Sequence, residues 1–181
     1  MRVVGGRYHG IKLMGIRGED FRPTTQMVKG AILDSLYGDV QNGLFLDLFA
    51  GSGGVGIEAL SRGAGKAVFV EKNRRAASVI RDNADKCNID PECYTIVRKD
   101  AIDYLKEEEY RNSRFNVIFA DPPYAGDLAE RVMEFVCGLD YRICHILIIE
   151  AGKKLNPSPE YADKLKRVKN YGQTHVNYFR F

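Results

Sequence analysis

From Leu44 onward the chain alternates short apolar runs with longer amphipathic stretches, a pattern that few folds accept. The runs at 44–48, 66–70, 94–98, 115–120 and 144–150 read as strands. The segments between them, near 55–62, 74–87, 101–109 and 127–137, carry helical spacing. Strand, helix and strand in series make βαβ units, and hence a parallel sheet with helices on both faces. The segment 164–181 holds two β-rich runs around Tyr171-Gly172 and predicts a closing antiparallel hairpin. The expected fold class is therefore α/β, a doubly wound and mostly parallel sheet with an antiparallel pair at its end.

Ahead of this core, RVVGGRYHG and IKLMGI alternate about His9-Gly10 and predict a small β-hairpin outside the main domain. After Arg22-Pro23, Thr24 or Thr25 is placed to cap a helix running to about Tyr37, with Val28, Ile32 and Leu36 on one face and Gly30 inside it. At 181 residues, 45% of them hydrophobic, the chain supports one well-cored domain with small additions. We divide it into an extension, 1–38, and a main domain, 39–181. No apolar run approaches the roughly 18 to 20 residues of a membrane span. The start MRVVGGRYHG lacks the apolar stretch and cleavage site of a signal peptide, so a soluble cytoplasmic protein is expected. Cys87, Cys93, Cys137 and Cys144 show no CxxC pairing and no histidine at ligand spacing; buried free thiols and no metal are expected.

The net charge of +3 divides unevenly along the chain. Residues 1–30 carry six Lys/Arg against two acids, residues 153–181 seven against two, and residues 31–152 fourteen against twenty. Basic flanks around an acidic centre suit a polyanionic substrate such as nucleic acid.

The first strand runs into Ala50-Gly51-Ser52-Gly53-Gly54-Val55-Gly56 and then a helix. Glycines there permit positive φ and close approach of a ligand to the backbone. GSGGVG satisfies the dinucleotide pattern GxGxxG, and Glu71 follows Gly51 by twenty residues, so this loop alone would support NAD equally well. Asp47 shifts the reading toward S-adenosylmethionine. Its carboxylate, four residues before Gly51, suits an ammonium group and would repel a pyrophosphate. Glu71 would accept from the ribose hydroxyls, Asp100 would bind the adenine amino group, and small Ala101 would leave the ring room. Phe49 and Lys72, beside these, complete the expected cofactor-binding set. Asp47 and Asp100 could also serve as ordinary strand-end and helix-cap residues.

Asp121-Pro122-Pro123-Tyr124 follows the strand FNVIFA, where open α/β sheets bind ligands. The exocyclic amine of a nucleobase is a poor nucleophile because its lone pair is delocalised into the ring. A carboxylate from Asp121 and the carbonyl of Pro122, aimed at its two N–H bonds, would localise that pair toward a methyl group. Pro122 and Pro123 fix φ and remove two competing donors, and Tyr124 would stack on the extruded base. Catalysis of this kind is mainly positioning, able to supply roughly 7 to 11 kcal/mol. No nucleophilic side chain or metal is needed.

Taken together, these motifs make the chain similar to the bacterial RsmD-type family of 16S ribosomal RNA guanine-N2 methyltransferases. RVVGGRYHGIKL resembles the family's N-terminal hairpin, FRPTT its helix entry, LDLFAGSGGVGIEALSRGA its cofactor loop, and DPPY its catalytic loop. The resemblance covers nearly the whole length. It implies a Rossmann-like class I S-adenosylmethionine-dependent methyltransferase, with Asp121 to Tyr124 holding the guanine and Asp47, Gly51, Gly53, Glu71 and Asp100 lining the cofactor pocket. The implied partner is 16S rRNA within the small ribosomal subunit or its assembly intermediate. Arg7, Arg22, Thr24 and Lys29 are the candidate RNA contacts. Relatives follow RPTT with an acid and a base and carry a glutamate further along; this chain has Gln26, Met27 and Gly30, so any contact those side chains make in relatives is missing here.

Other readings share parts of the pattern. A DNA adenine or cytosine amino-methyltransferase has both motifs but usually a separate target-recognition region, for which no stretch here is long enough. A protein glutamine N-methyltransferase uses a similar loop that normally begins with Asn. A NAD-dependent dehydrogenase leaves DPPY unexplained, and a non-enzymatic RNA-binding assembly factor leaves both intact loops unexplained.

Overall fold

A computed structural model describes residues 1–16, 23–107, 110, 112–124, 126–138 and 144–181, with the backbone alone for 23–27. Its strands are β1 (Leu44–Asp47), β2 (Lys66–Val70), β3 (Tyr94–Val97), β4 (Phe115–Ala120), β5 (Cys144–Ala151), β6 (Leu165–Tyr171) and β7 (Thr174–Arg180). They form one sheet in the order β3-β2-β1-β4-β5-β7-β6. Strands β1 to β5 are parallel, and β7 runs antiparallel to both its neighbours. The doubly wound α/β architecture and the closing hairpin are those expected.

The helices are α1 (Pro23–Asp34), α2 (Tyr37–Val40), α3 (Gly54–Ser61), α4 (Arg74–Lys86), α5 (Ala101–Leu105) and α6 (Leu128–Cys137). Alternation along each strand sends its side chains to two cores. On one face Leu46, Ile118 and Leu147 meet Ile102 and Leu105 of α5 and Val132 and Val136 of α6. On the other, Phe45, Phe119 and Ile148 meet Val28 and Ile32 of α1 and Val55 and Ala59 of α3. Toward β2, Ala67 and Phe69 are covered by Ile57 and Leu60 of α3 and Ile80 and Ala84 of α4, with Val3 and Leu13 joining them from the N-terminal segment.

Local chemistry sets the helix boundaries. The Asn73 side chain caps α4 by accepting from Arg75 and Ala76 N–H. Pro23 opens α1, a position that needs no N–H donor, so Thr24 and Thr25 lie inside the helix rather than capping it. That helix stops at Asp34, short of the expected Tyr37: Ser35 and Leu36 N–H bond to the carbonyls of Ile32 and Leu33, three residues back, and tighten the turn. Leu36 is still buried with Val28 and Ile32, as its spacing predicts. α5 ends at Leu105, and 108–109 of the expected 101–109 helix lie outside the described residues.

The N-terminal hairpin is short, with one antiparallel bridge between Arg2 and Lys12. It is held to the sheet domain through buried polar groups. The carboxylate of Glu58, 3% exposed, accepts from Val4 and Gly5 N–H at 2.7 and 2.8 Å and pairs with Arg62. Asn83 accepts from Met14 N–H at 2.7 Å and donates to the carbonyls of Met14 and Ser52. One side chain thus ties the N-terminal segment to the glycine loop. Gly30 of α1 is buried facing Val4, and a methyl group there would make ordinary contact at 3.6 Å. Cys87, Cys137 and Cys144 are buried and Cys93 half-buried, all unbridged.

Candidate active site

Four adjacent strands each carry an acid within one residue of the carboxyl end: LFLD, AVFVE, VIFAD and LIIE close on Asp47, Glu71, Asp121 and Glu150. In the order β2-β1-β4-β5 these carboxylates form a row along the carboxyl edge of the sheet, at a strand spacing of about 4.8 Å. Asp47 and Glu150 lie two residues beyond Phe45 and Ile148, so both point to the face that α1 covers. Lys29 of α1 lies over this face, its ammonium close enough to favour the ionised forms of Asp47 and Glu150.

Asp47 is 1% exposed. Its Oδ2 accepts from Gly56 N–H at 3.1 Å, which fixes the start of α3 against the end of β1. Burial raises its carboxyl to about 7, with Asp121 and Glu71 adding to the rise and Lys29 and the Gly56 bond opposing it. A cation entering between these acids would remove that penalty.

Glu71 uses both oxygens to shape the loop, accepting from Gly51 N–H at 2.9 Å and Asn73 N–H at 2.7 Å. Each carboxylate oxygen keeps a second lone pair, so ribose hydroxyls could still be accepted. Gly51 and Gly53 have φ of 52° and 81°, values that side chains disfavour, and the turn opens directly into α3. Gly56 has a different role: a Cβ there would stand 2.3 Å from the Phe69 ring, so its absence lets α3 lie close on β2.

Asp100 caps α5 through Ile102 N–H at 3.0 Å, and its other oxygen lies 3.8 Å from the ammonium of exposed Lys72. The cap is real, and one oxygen remains directed outward. Ala101 is buried as the first residue of α5, and Phe49 is half-buried against the α5 and α6 core.

At the DPPY loop Pro122 is buried, Asp121 half-buried, and Pro123 and Tyr124 exposed. The Tyr124 hydroxyl donates toward Glu150 Oε1 at 3.3 Å and lies 2.8 Å from the Thr174 hydroxyl, while the residue is 47% exposed. About half of the residue is thus accessible to a partner from outside. Beyond it lies a cavity of about 180 Å³ between the loop and Ala129, Glu130, Ala151 and Lys153.

The structure brings Asp47, Glu71, Asp121 and Tyr124 to one edge, with Asp100 beside them at the start of α5. Arg7 is not there. It is exposed in the hairpin turn, with its N–H on the carbonyl of Ser61 at the far end of α3. Arg22 lies outside the described residues, as does the Thr24 side chain. Motif reading overlooked Glu150, although the pattern of an apolar strand closing on an acid marks it as clearly as the other three. It also overlooked Glu58, Asn83 and Thr174, whose partners lie far away in sequence.

The model of the family described as conserved hypothetical protein 95 matches residues 1–180. Ribosomal RNA small subunit methyltransferase D of Haemophilus influenzae is 32% identical over 92% of this chain and 86% of its own length. Among solved structures, a hypothetical protein of Thermus thermophilus superposes with a TM-score of 0.82 at 28% identity, covering 100% of this chain and 99% of that one. A more distant methyltransferase, SMU.776, described as a complex with SAH, shares the fold at a TM-score of 0.66 and 13% identity, over 89% of this chain and 50% of that one.

Proposed function

From membership of the RsmD-type family, to which this chain belongs, we propose that it transfers a methyl group from S-adenosylmethionine to the exocyclic N2 of a guanine in 16S rRNA. The observation that carries the proposal is the carboxylate row that includes Asp121 of the DPPY loop at one sheet edge. The H. influenzae relative, by its name, acts on small-subunit ribosomal RNA. The acids of the row favour a cationic ligand such as a sulfonium compound and disfavour the pyrophosphate of NAD.

Residues Asp47, Glu71 and the Gly51 to Gly53 turn would hold the methyl donor, with Phe49, Lys72, Asp100 and Ala101 around its adenosine end. When bound, S-adenosylmethionine supplies an electrophilic methyl group on a sulfonium. Asp121 and the Pro122 carbonyl accept the two N–H bonds of the amine and direct its lone pair, and Tyr124 stacks on the base. As the new N–C bond forms, one amine proton becomes acidic, and the Asp121 carboxylate is the adjacent group able to take it. Arg7, Arg22, Thr24 and Lys29 are assigned to the RNA side, with Lys29 also balancing the acids. In this assignment 1–38 serves as an extension on a catalytic domain, 39–181. The small subunit or its assembly intermediate is the proposed partner.

The test is transfer of labelled methyl to small ribosomal subunits lacking this modification, with naked RNA and duplex DNA in parallel, followed by nucleoside analysis. The proposal expects N2-methylguanosine from the subunits. Label on DNA alone, or on none of the three despite cofactor binding, would overturn it.

A further inference from the structure

We infer that Glu150 is a specificity-determining residue that accepts the N1–H of the target guanine while Asp121 and Pro122 hold its N2. This rests on the substrate reading above.

The geometry begins with the row of acids. Glu71 and Asp47 lie on the cofactor side of Asp121, and Glu150 lies on the other, one strand further across the sheet. β4 and β5 pair through Ala120 and Ile149, so Asp121 and Glu150 are the next residues along two adjacent strands. Their separation is set by the strand spacing of about 4.8 Å. On guanine, N1–H and the N2 amine are neighbouring donors on one edge, the edge by which extruded bases are read. A base whose N2 rests against Asp121 and whose N1 side is turned to β5 presents this second donor to Glu150.

Glu150 has no partner that accounts for its burial. It is 4% exposed, yet the described residues give its Oε2 no hydrogen-bond partner, while Oε1 receives only the Tyr124 hydroxyl at 3.3 Å. A buried carboxylate oxygen left unpaired is costly and seldom retained without use. Lys29 acts on it through space, and burial together with Asp121 raises its carboxyl well above the ordinary range. A neutral N–H donor from the base would stabilise it without adding charge.

Tyr124 controls access. Its ring lies beside Gly152, where a Cβ would stand 3.4 Å away, and among the described residues its hydroxyl is held by Glu150 and Thr174. When the ring turns to stack on the base, Glu150 exchanges one donor for another. Adenine, with a bare acceptor at N1, offers the ionised carboxylate no donor in return and is repelled.

The experiment compares, at about pH 8.5 so that Glu150 is ionised, small subunits reconstituted with guanine or 2-aminopurine at the nucleotide that the wild-type protein methylates. The analogue keeps the exocyclic amine but has an acceptor at N1. Wild type should favour guanine by about 100-fold or more in kcat/KM, since a site built to receive a donor rejects an analogue lacking it. Glu150→Gln, whose amide can donate to a bare N1, should bring the preference to within about tenfold. S-adenosylhomocysteine affinity should be unchanged, showing that the fold is intact. Tyr124→Phe should slow both substrates yet keep the wild-type preference, which separates base reading from mere support of the tyrosine.

An equal guanine preference in wild type and Glu150→Gln would overturn the inference while leaving the substrate reading intact. Loss of preference in Tyr124→Phe matching that in Glu150→Gln would assign Glu150 to positioning Tyr124 and also overturn it. Absence of N2-methylguanosine with wild type would remove the substrate reading and the inference together.

Discussion

Asp121 and Asp47 sit on neighbouring strands, and their different surroundings assign them different work. Asp121, half-buried on the loop after β4, is the residue proposed to hold the amine that receives the methyl group. Asp121→Ala should lower turnover by about 100-fold or more while leaving S-adenosylhomocysteine affinity within about threefold. Equal loss of both in calorimetry and turnover would mean that the loop itself had collapsed. Asp47 is buried, with a carboxyl near 7 in place of the usual 3.8. Between those values the folded chain keeps a proton that the unfolded chain has lost. Its contribution to stability is therefore full below about pH 4, declines as pH rises toward 7, and levels off above that. Ammonium binding favours the ionised form, so affinity for S-adenosylhomocysteine should tighten by up to about tenfold per pH unit from pH 5.5 to 6.5. Titration calorimetry in buffers of different ionisation enthalpy should show proton release in that range, and Asp47→Asn should abolish both effects.

Helix α3 joins the cofactor loop to the rest of the molecule, and Gly56 is where it lies closest to β2. Gly56→Ala would force its methyl group into Phe69, and overpacking of this kind costs about 1 to 3 kcal/mol, measurable as a lower urea midpoint. A midpoint equal to wild type would show that Phe69 moves aside freely. At this scale much of the architecture was legible in the sequence. Apolar runs fix the strands because burial demands them, and Asn73 and Gly53 mark helix starts by local chemistry. The ends of α1 and α5 were less legible, since the tightening at Ser35 and the short span of α5 leave little trace in periodicity. The same distinction holds for the site. Asp47, Glu71 and Asp121 stand beside glycine or proline motifs; Glu150 closes an apolar run as they do, but its place beside Asp121 follows only from β5 lying next to β4. Glu58 and Asn83 have partners 53 to 69 residues away, and no local pattern reveals such pairings.

Across the whole molecule, acids line the catalytic edge while both ends of the chain are basic, so attraction for a polyanion must come from outside the site. Arg7, exposed on the hairpin turn, is a proposed source of it. Arg7→Ala should weaken RNA binding and reduce the slope of log affinity against log salt by about 0.7, the value for one single-strand phosphate contact. An unchanged slope would take Arg7 off the interface. The sheet order has a further consequence, for biosynthesis. β7 is made after every other strand yet lies inside the sheet, between β5 and β6. While the chain is still growing, the β5 edge has no neighbour, and the Ile146 to Ile149 run presents unpaired amides and carbonyls beside apolar side chains. Such edges recruit other strands. A ribosome that stalled before residue 174 would thus release a more adhesive molecule than one that had completed β7, placing the chain's greatest hazard of aggregation in the interval between the synthesis of these two neighbours.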